Sequence, residues 1–257
     1  MTFESSEPLS RERYEREGYV VVRGVFSTDE VAAVAAETEA LLARDDLKAM
    51  TNLRIRWQYH YETGAPVFEL FDPVTDIAPR CDGFLRDPRI ASLLESLLGE
   101  RVHPIKDKLI YKAPGSGGYP LHQDYIAWPG FPESFTTVVI AVDAADDENG
   151  SIRLYPGAHA RGLLSERDGN FHMLSDDTVA GFAPVSLDLA PGDIAIFGAF
   201  MPHRSDVNRS SRGRRHLLFS YNRDSDGGDC RRAHYEDFHH WLREMYGAMG
   251  LGDMYFR

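Results

Sequence analysis

The sequence predicts a mainly β protein with flanking helices, folded as a double-stranded β-helix, or jelly roll. Three observations support this. From residue 101 the chain breaks into β-type runs at 102–112, 135–142, 151–154, 185–189, 194–197 and 216–221. Turn-forming clusters separate them: Ala113-Pro114-Gly115, Glu148-Asn149-Gly150, Tyr155-Pro156-Gly157 and Ala190-Pro191-Gly192-Asp193. Before residue 100 the patterning is largely helical instead. Short strands at this spacing suit two packed antiparallel sheets. No repeat, low-complexity stretch or linker interrupts the 257 residues, so one domain is expected. It comprises N-terminal helices in 1–100, a core over about 101–222 and a C-terminal helix over 231–247.

The elements before the core follow from local signals. Residues 8–17 read as a short charged helix, stopped by Gly18, and Tyr19–Val22 as a strand. Ser27 and Glu30 form a capping box before a helix over 31–44 that is rich in Ala and Leu at helical spacing. Residues 52–59 alternate in strand fashion, which puts Asn52, Arg54, Arg56 and Gln58 on one face and Leu53, Ile55 and Trp57 on the other. A helix over 88–98 has Asp87 as its cap, Pro88 in its first turn and Gly99 as terminator. In the last helix Phe238, Trp241, Leu242 and Tyr246 cap the barrel or meet a second copy, with capping favoured. His234, His239 and His240 are read as its polar faces.

Composition narrows the function. A hydrophobic content of 43% supports a buried core. A formal charge of −12 argues against a nucleic-acid partner, which needs a basic face, but allows local cations to receive a small anion. Two cysteines, Cys81 and Cys230, suit a reducing compartment. The first residues hold no apolar targeting core, and no run approaches a membrane span, so a cytoplasmic location and no membrane partner are expected.

The chemistry centres on Pro120-Leu121-His122-Gln123-Asp124-Tyr125. On an extended strand His122 and Asp124 project together, giving an imidazole nitrogen and a carboxylate oxygen side by side. These are two legs of the 2-His-1-carboxylate arrangement that holds non-haem Fe(II) with positions left open. Of the ten histidines, His203 stands out as the third leg, since it follows the turn-strand unit Pro191-Gly192-Asp193-Ile194-Ala195-Ile196-Phe197. A jelly roll brings early and late core strands side by side, so the gap of about 80 residues is no obstacle. Beyond it, Arg212, Arg214 and Arg215 crowd one turn before a strand. An arginine there can offer its planar fork to a carboxylate inside the barrel. Metal and buried arginine together are what 2-oxoglutarate requires. His159 is read as a loop hydrogen-bond partner.

The order of these pieces resembles the phytanoyl-CoA dioxygenase family of Fe(II)/2-oxoglutarate oxygenases over about residues 100–222, with a cupin-like jelly roll. The resemblance implies iron ligands at His122, Asp124 and His203. It implies 2-oxoglutarate contacts at Arg214, eleven residues past the distal histidine, at Ser205 and at Lys108. Fe(II), 2-oxoglutarate and O2 are the implied cofactors, with succinate and CO2 released. A carboxylate at Asp124, where related halogenases carry a small residue, implies hydroxylation or a desaturating or ring-closing variant.

The runs at 106–112 and 122–129 resemble the small bacterial branch that includes 2-aminoethylphosphonate hydroxylases. A small polar substrate of that kind is therefore expected, with Asn52, Arg54 and Arg56 as a polar wall and Tyr125 and Trp128 as aromatic contacts for an ammonium group. A natural-product hydroxylase is the alternative within the same chemistry. A non-catalytic metal-binding jelly roll is the alternative outside it.

Overall fold

The computed structural model of the protein describes residues 10–250 and 252–257. Helix α1 (Arg11–Glu17) and strand β1 (Tyr19–Val22) come first, then helix α2 (Thr28–Leu42), strands β2 (Ile55–Tyr59) and β3 (Pro66–Phe71), and helices α3 (Pro79–Leu85) and α4 (Pro88–Leu98). Strands β4 (Val102–Lys112), β5 (Tyr119–His122), β6 (Thr136–Ala141), β7 (Ile152–Leu154), β8 (Val185–Ser186), β9 (Ile194–Gly198), β10 (His203–Ser205) and β11 (Arg214–Arg223) follow. Helix α5 (Arg231–Ala248) closes the series.

Two antiparallel sheets form a jelly roll. The larger has the order β1-β9-β6-β11-β4-β3-β2 and the smaller β5-β10-β7-β8. The larger sheet is covered on both faces. Val138, Ile140, Ile194, Ile196, Leu217 and Phe219 face outward into one cluster with Val34 and Leu41 of α2 and Ile90 and Leu94 of α4. Val139, Ala195 and Phe197 face inward against Ile152 and Leu154 of the smaller sheet. This explains why β6 reads as an unbroken apolar run rather than an alternating one. Each Leu, Ile or Phe so buried stabilises the fold by roughly 1.5–3 kcal/mol.

Helix ends follow their sequence signals. Ser10 caps α1 through its side chain, and Gly18 (φ 79°) ends it in the left-handed conformation. The helix expected from residue 8 thus starts later, its first residues lying outside those described. The capping box at Ser27 and Glu30 is present, and Asp87, Pro88 and Gly99 bound α4 as expected. Two elements depend on more than local signals. Helix α3 contains Gly83 and lacks a side-chain cap of its own. Glu37 of α2 supplies one from a distance, accepting hydrogen bonds from the Arg80 and Cys81 amides at 3.0 and 3.1 Å. Strand β3 is irregular: Arg56 lies opposite Leu70 and Trp57 opposite Phe68, which leaves Glu69 as an extra residue.

The region before residue 101 is not only helical, because β1 edges the larger sheet and β2 and β3 extend it on the other side. The strand expected over 52–59 begins only at Ile55. Asn52 and Arg54 instead form a turn in which Asn52 Oδ1 accepts from the Arg54 amide at 3.2 Å. The helix ending at 44 stops at Leu42, and the strand over 185–189 shrinks to two residues.

Helix α5 lies against β4 and caps that end of the sheet. Phe238 and Leu242 are buried with Leu53, and Trp128, Tyr235, Trp241 and Tyr246 pack around them. Its histidines differ from the expected polar faces: His240 is exposed and pairs with Glu244, but His234 is only 6% exposed, in contact with aromatic rings. No helix among the described residues is long and apolar enough to cross a membrane. Replacing Leu242 with Ala should lower unfolding free energy by about 2–5 kcal/mol in chemical denaturation. A change within experimental error would show that α5 is not packed as described.

Candidate active site

Strand pairing assembles the first group. In the smaller sheet His203 of β10 lies directly opposite His122 of β5, with ring centroids 4.2 Å apart. Asp124 falls just past the end of β5 rather than on it, yet its Oδ1 is 3.8 Å from His122 Nε2 and 3.7 Å from His203 Nε2. The remaining atoms of each group are occupied. His122 Nδ1 meets the Pro120 carbonyl at 2.8 Å, and His203 Nδ1 meets that of Met201 at 3.0 Å. Those contacts place the ring protons on Nδ1 and leave both Nε2 lone pairs facing Asp124. Asp124 Oδ2 accepts from the Thr137 hydroxyl at 2.9 Å.

Electrostatics prepare the same atoms. Burial, reinforced by His203, pushes the His122 pKa down to about 3, so its imidazole is neutral. Burial alone would raise that of Asp124, but His203, Lys108 and His122 outweigh it and hold the carboxyl ionised. Two imidazoles and one carboxylate, converging with ordered outer partners, fit an Fe(II) ion with open positions. Among the described residues this is the one His/Cys/Asp/Glu cluster with metal-ligand geometry.

A cavity runs from this group to the larger sheet, where β11 and β4 place a second group. Arg214 lies directly opposite Lys112 in the ladder, and His216 opposite Ile110. Arg214 is 3% and Lys112 2% exposed. Two cations directly opposite each other repel, and burial worsens the cost. Burial, with Arg214 beside it, lowers the Lys112 pKa to about 7, and burial lowers that of Arg214 to about 10. Lys112 Nζ donates to Ser205 Oγ at 2.8 Å. Arg214 Nε and His216 Nε2 are buried without a partner. Neither cation forms an ion pair with a carboxylate among the described residues, and a dicarboxylate fits this end of the cavity.

The structure therefore brings together His122, Asp124, His203, Ser205, Arg214 and Lys108 around one cavity. Arg212 lies outside and pairs with Asp146 at 2.7 Å. Lys112 went unread in the sequence, although it shares the strand face of Lys108 by period two. The hydroxyl of Ser205 contacts Lys112, not Lys108.

The expected polar wall does not form as a unit. Arg54 is buried away from the cavity, with its guanidinium on Asp76 and the Pro73 carbonyl. Asn52 holds the Leu47 carbonyl at 2.8 Å. Both are consumed by folding, because the turn at 52–54 directs them toward the C-terminal segment. Arg56 differs: its Nη2 is buried without a partner. Tyr125 is enclosed by Phe131 and Phe200, with ring centroids at 5.6 and 5.0 Å, and Trp128 packs on Phe131 at 5.5 Å. Neither lines the cavity. His159 contacts the Glu15 carbonyl at 3.1 Å, as a loop partner should.

The phytanoyl-CoA dioxygenase (PhyH) family model matches residues 14–216. The chain belongs to that family. It is accordingly a dioxygenase that uses Fe(II), 2-oxoglutarate and O2. Among curated proteins it is 31% identical over 178 residues to a 2-aminoethylphosphonate dioxygenase of uncultured bacterium HF130_AEPn_1, covering 67% of each chain. It is 38% identical over 154 residues to a methylphosphonate hydroxylase of Gimesia maris, covering 60% of this chain and 57% of that relative. Solved structures show the same fold. EctD from S. alaskensis with 2-oxoglutarate and 5-hydroxyectoine superposes with a TM-score of 0.70 at 21% identity, over 88% of this chain and 80% of EctD. The epimerase SnoN with Fe3+, alpha ketoglutarate and nogalamycin RO gives 0.71 at 22% identity, over 85% of this chain and 84% of SnoN.

Replacing Asp124 with Ala should reduce bound iron after anaerobic reconstitution to about a tenth or less of the wild-type content, because the imidazoles alone supply no negative charge to offset the cation. Metal analysis of the folded protein checks this, and full retention would place the iron elsewhere.

Proposed function

We propose that this chain hydroxylates a small phosphonate, 2-aminoethylphosphonate or a related aminophosphonate, with iron held by His122, Asp124 and His203. In this reading 2-oxoglutarate spans the cavity, its keto-acid end at the metal group and its distal carboxylate on Arg214, Lys112 and Ser205. The observation that carries the site reading is buried Arg214, which lines the same cavity as the three converging ligand atoms, lies opposite Lys112 and, like it, has no carboxylate partner among the described residues. A non-catalytic metal-binding jelly roll would have no use for those two cations. The 2-aminoethylphosphonate dioxygenase and methylphosphonate hydroxylase relatives support the phosphonate class.

When bound, iron and 2-oxoglutarate supply oxygen activation, with CO2 and succinate released as one oxygen atom passes to the substrate. The chain's own contribution is positional. The carbonyls of Pro120 and Met201 fix both imidazole tautomers, and the Thr137 hydroxyl fixes the Asp124 carboxylate. Gln123, next to Asp124, ties the following loop by donating to the Phe200 and Gly162 carbonyls at 2.6 and 2.9 Å. The buried walls keep water from the cation pair, which strengthens its hold on a carboxylate.

Succinate formation from 2-oxoglutarate, stimulated by an aminophosphonate, is the direct test. Arg214→Met should lower kcat/KM for 2-oxoglutarate by about a hundredfold or more, since an ion-paired hydrogen bond is lost in a dry site. Stimulation only by another substrate class would discard the phosphonate assignment. Affinity for 2-oxoglutarate should also depend on pH. The Lys112 pKa in the ligand-free site is about 7, below the ordinary lysine value, so its charge is present below pH 7 and is lost above it. Affinity should then fall by up to about tenfold per pH unit above 7, until the bound-state pKa is reached. Lys112→Met should flatten the profile, and an unchanged slope would remove Lys112 from the binding group.

A further inference from the structure

A second set of unpartnered polar atoms lies beyond Lys108, away from the Arg214 end. Lys108 lines the metal cavity and makes no hydrogen bond or ion pair among the described residues. Its charge acts on Asp124 and also on Asp72, Lys106 and His234. Arg56 Nη1 is spent on the Leu53 and Ile55 carbonyls at 2.9 and 2.7 Å, but Nη2 is buried with no partner. His234 Nε2 is likewise buried with no partner.

One ring joins Arg56 and His234, and strand pairing brings Arg56 to the face of Lys108: Arg56 lies opposite Leu70, and Leu70 opposite Ile110, two residues from Lys108. Arg56 lies 5.4 Å and Lys106 Nζ 3.8 Å from the Phe238 centroid, and His234 stacks parallel to the same ring at 5.9 Å. Lys106 is itself satisfied, by Asp72 at 3.2 Å and by the ring. Glu69, the extra residue of β3, carries a further carboxyl on which Lys108 and Arg56 act. Burial, against the pull of Lys108, Arg56 and Lys112, raises its pKa to about 7, so its negative charge is weakened. Three nitrogen groups on three separate elements, β2, β4 and α5, are thus without a hydrogen-bond partner among the described residues. Leaving buried donors unmade is costly unless a ligand completes them.

We propose that Lys108, Arg56 and His234 form one oxyanion receptor, closed by α5, which holds the phosphonate group of the substrate next to the metal group. This rests on the reaction and substrate class put forward above and extends them to a defined subsite. Arg56 and Lys108 supply charge, while the His234 imidazole supplies a neutral contact whose direction is fixed by stacking on Phe238. Lys106 and Asp72 position the receptor without contacting the ligand. The arrangement accounts for a helix outside the jelly roll carrying a buried, unpartnered histidine.

The experiment titrates methylphosphonate into the anaerobic protein loaded with Fe(II) and 2-oxoglutarate, read by calorimetry. The charge-transfer absorption of the loaded metal reports 2-oxoglutarate occupancy separately. His234→Ala and Arg56→Gln are each expected to raise the methylphosphonate Kd by about tenfold or more, with 2-oxoglutarate affinity unchanged within about twofold. His234→Gln, which restores an amide near the position of Nε2, should recover most of the loss. Lys108→Met gives an independent arm should the helix variant fold poorly. Wild-type affinity in Arg56→Gln and Lys108→Met would overturn the receptor while leaving phosphonate-stimulated succinate formation standing. No binding of methylphosphonate or 2-aminoethylphosphonate by the wild type, with succinate formed on another substrate, would overturn the receptor together with the substrate class.

Discussion

The ladder between β4 and β11 is the constraint on which the rest of the molecule depends. Its register runs from Arg214 opposite Lys112 to Arg223 opposite Val102, and it sets both faces of the larger sheet at once. On the outer face it aligns Leu109, Leu217 and Phe219 for packing against α2 and α4. On the inner face it aligns Lys108, Lys112, Arg214 and His216. A slip of one residue would exchange these sets, burying cations among helices and turning leucines into the cavity. The apolar outer face thereby fixes the position of charges it never touches.

Cation against cation across a buried ladder is a local loss that the fold sustains. Burial of more than twenty apolar side chains in the outer cluster makes that possible. The same trade appears in the smaller sheet, where two imidazoles face each other at 4.2 Å and a carboxylate is held between them. Neither group is balanced within the protein: the first sets one carboxylate against two imidazoles, and the second leaves two cations without a carboxylate partner among the described residues. Rigid strands hold both arrangements in place.

Helix α5 links the periphery to the interior. Arg231 and Tyr235 meet Asp107 on the outer side of β4, while Phe238 carries Lys106 and Arg56 over its ring on the other. Its aromatic residues therefore do more than seal apolar surface: they orient cations whose neighbours line the metal cavity.

The sequence by itself determined the fold class, the family and the iron-ligand candidates. These rest on local signals that survive folding: turn clusters that punctuate strands, caps at Ser27 and Asp87, and the short spacing of His122 and Asp124 that keeps them adjacent even though the strand ends between them. Tertiary structure decided what long-range pairing controls. Lys112 gains its place only from the residue opposite it, and helix α3 gains its cap only from Glu37. Arg54 and Arg56 look alike in the sequence, but the turn at 52–54 sends one to Asp76 and leaves the other open. Tyr125 is closed off by Phe131 across a local turn and by Phe200 from a distant part of the chain. His234 reads as a surface histidine because its helix is polar at neighbouring positions, and only the docking of α5 on β4 buries it.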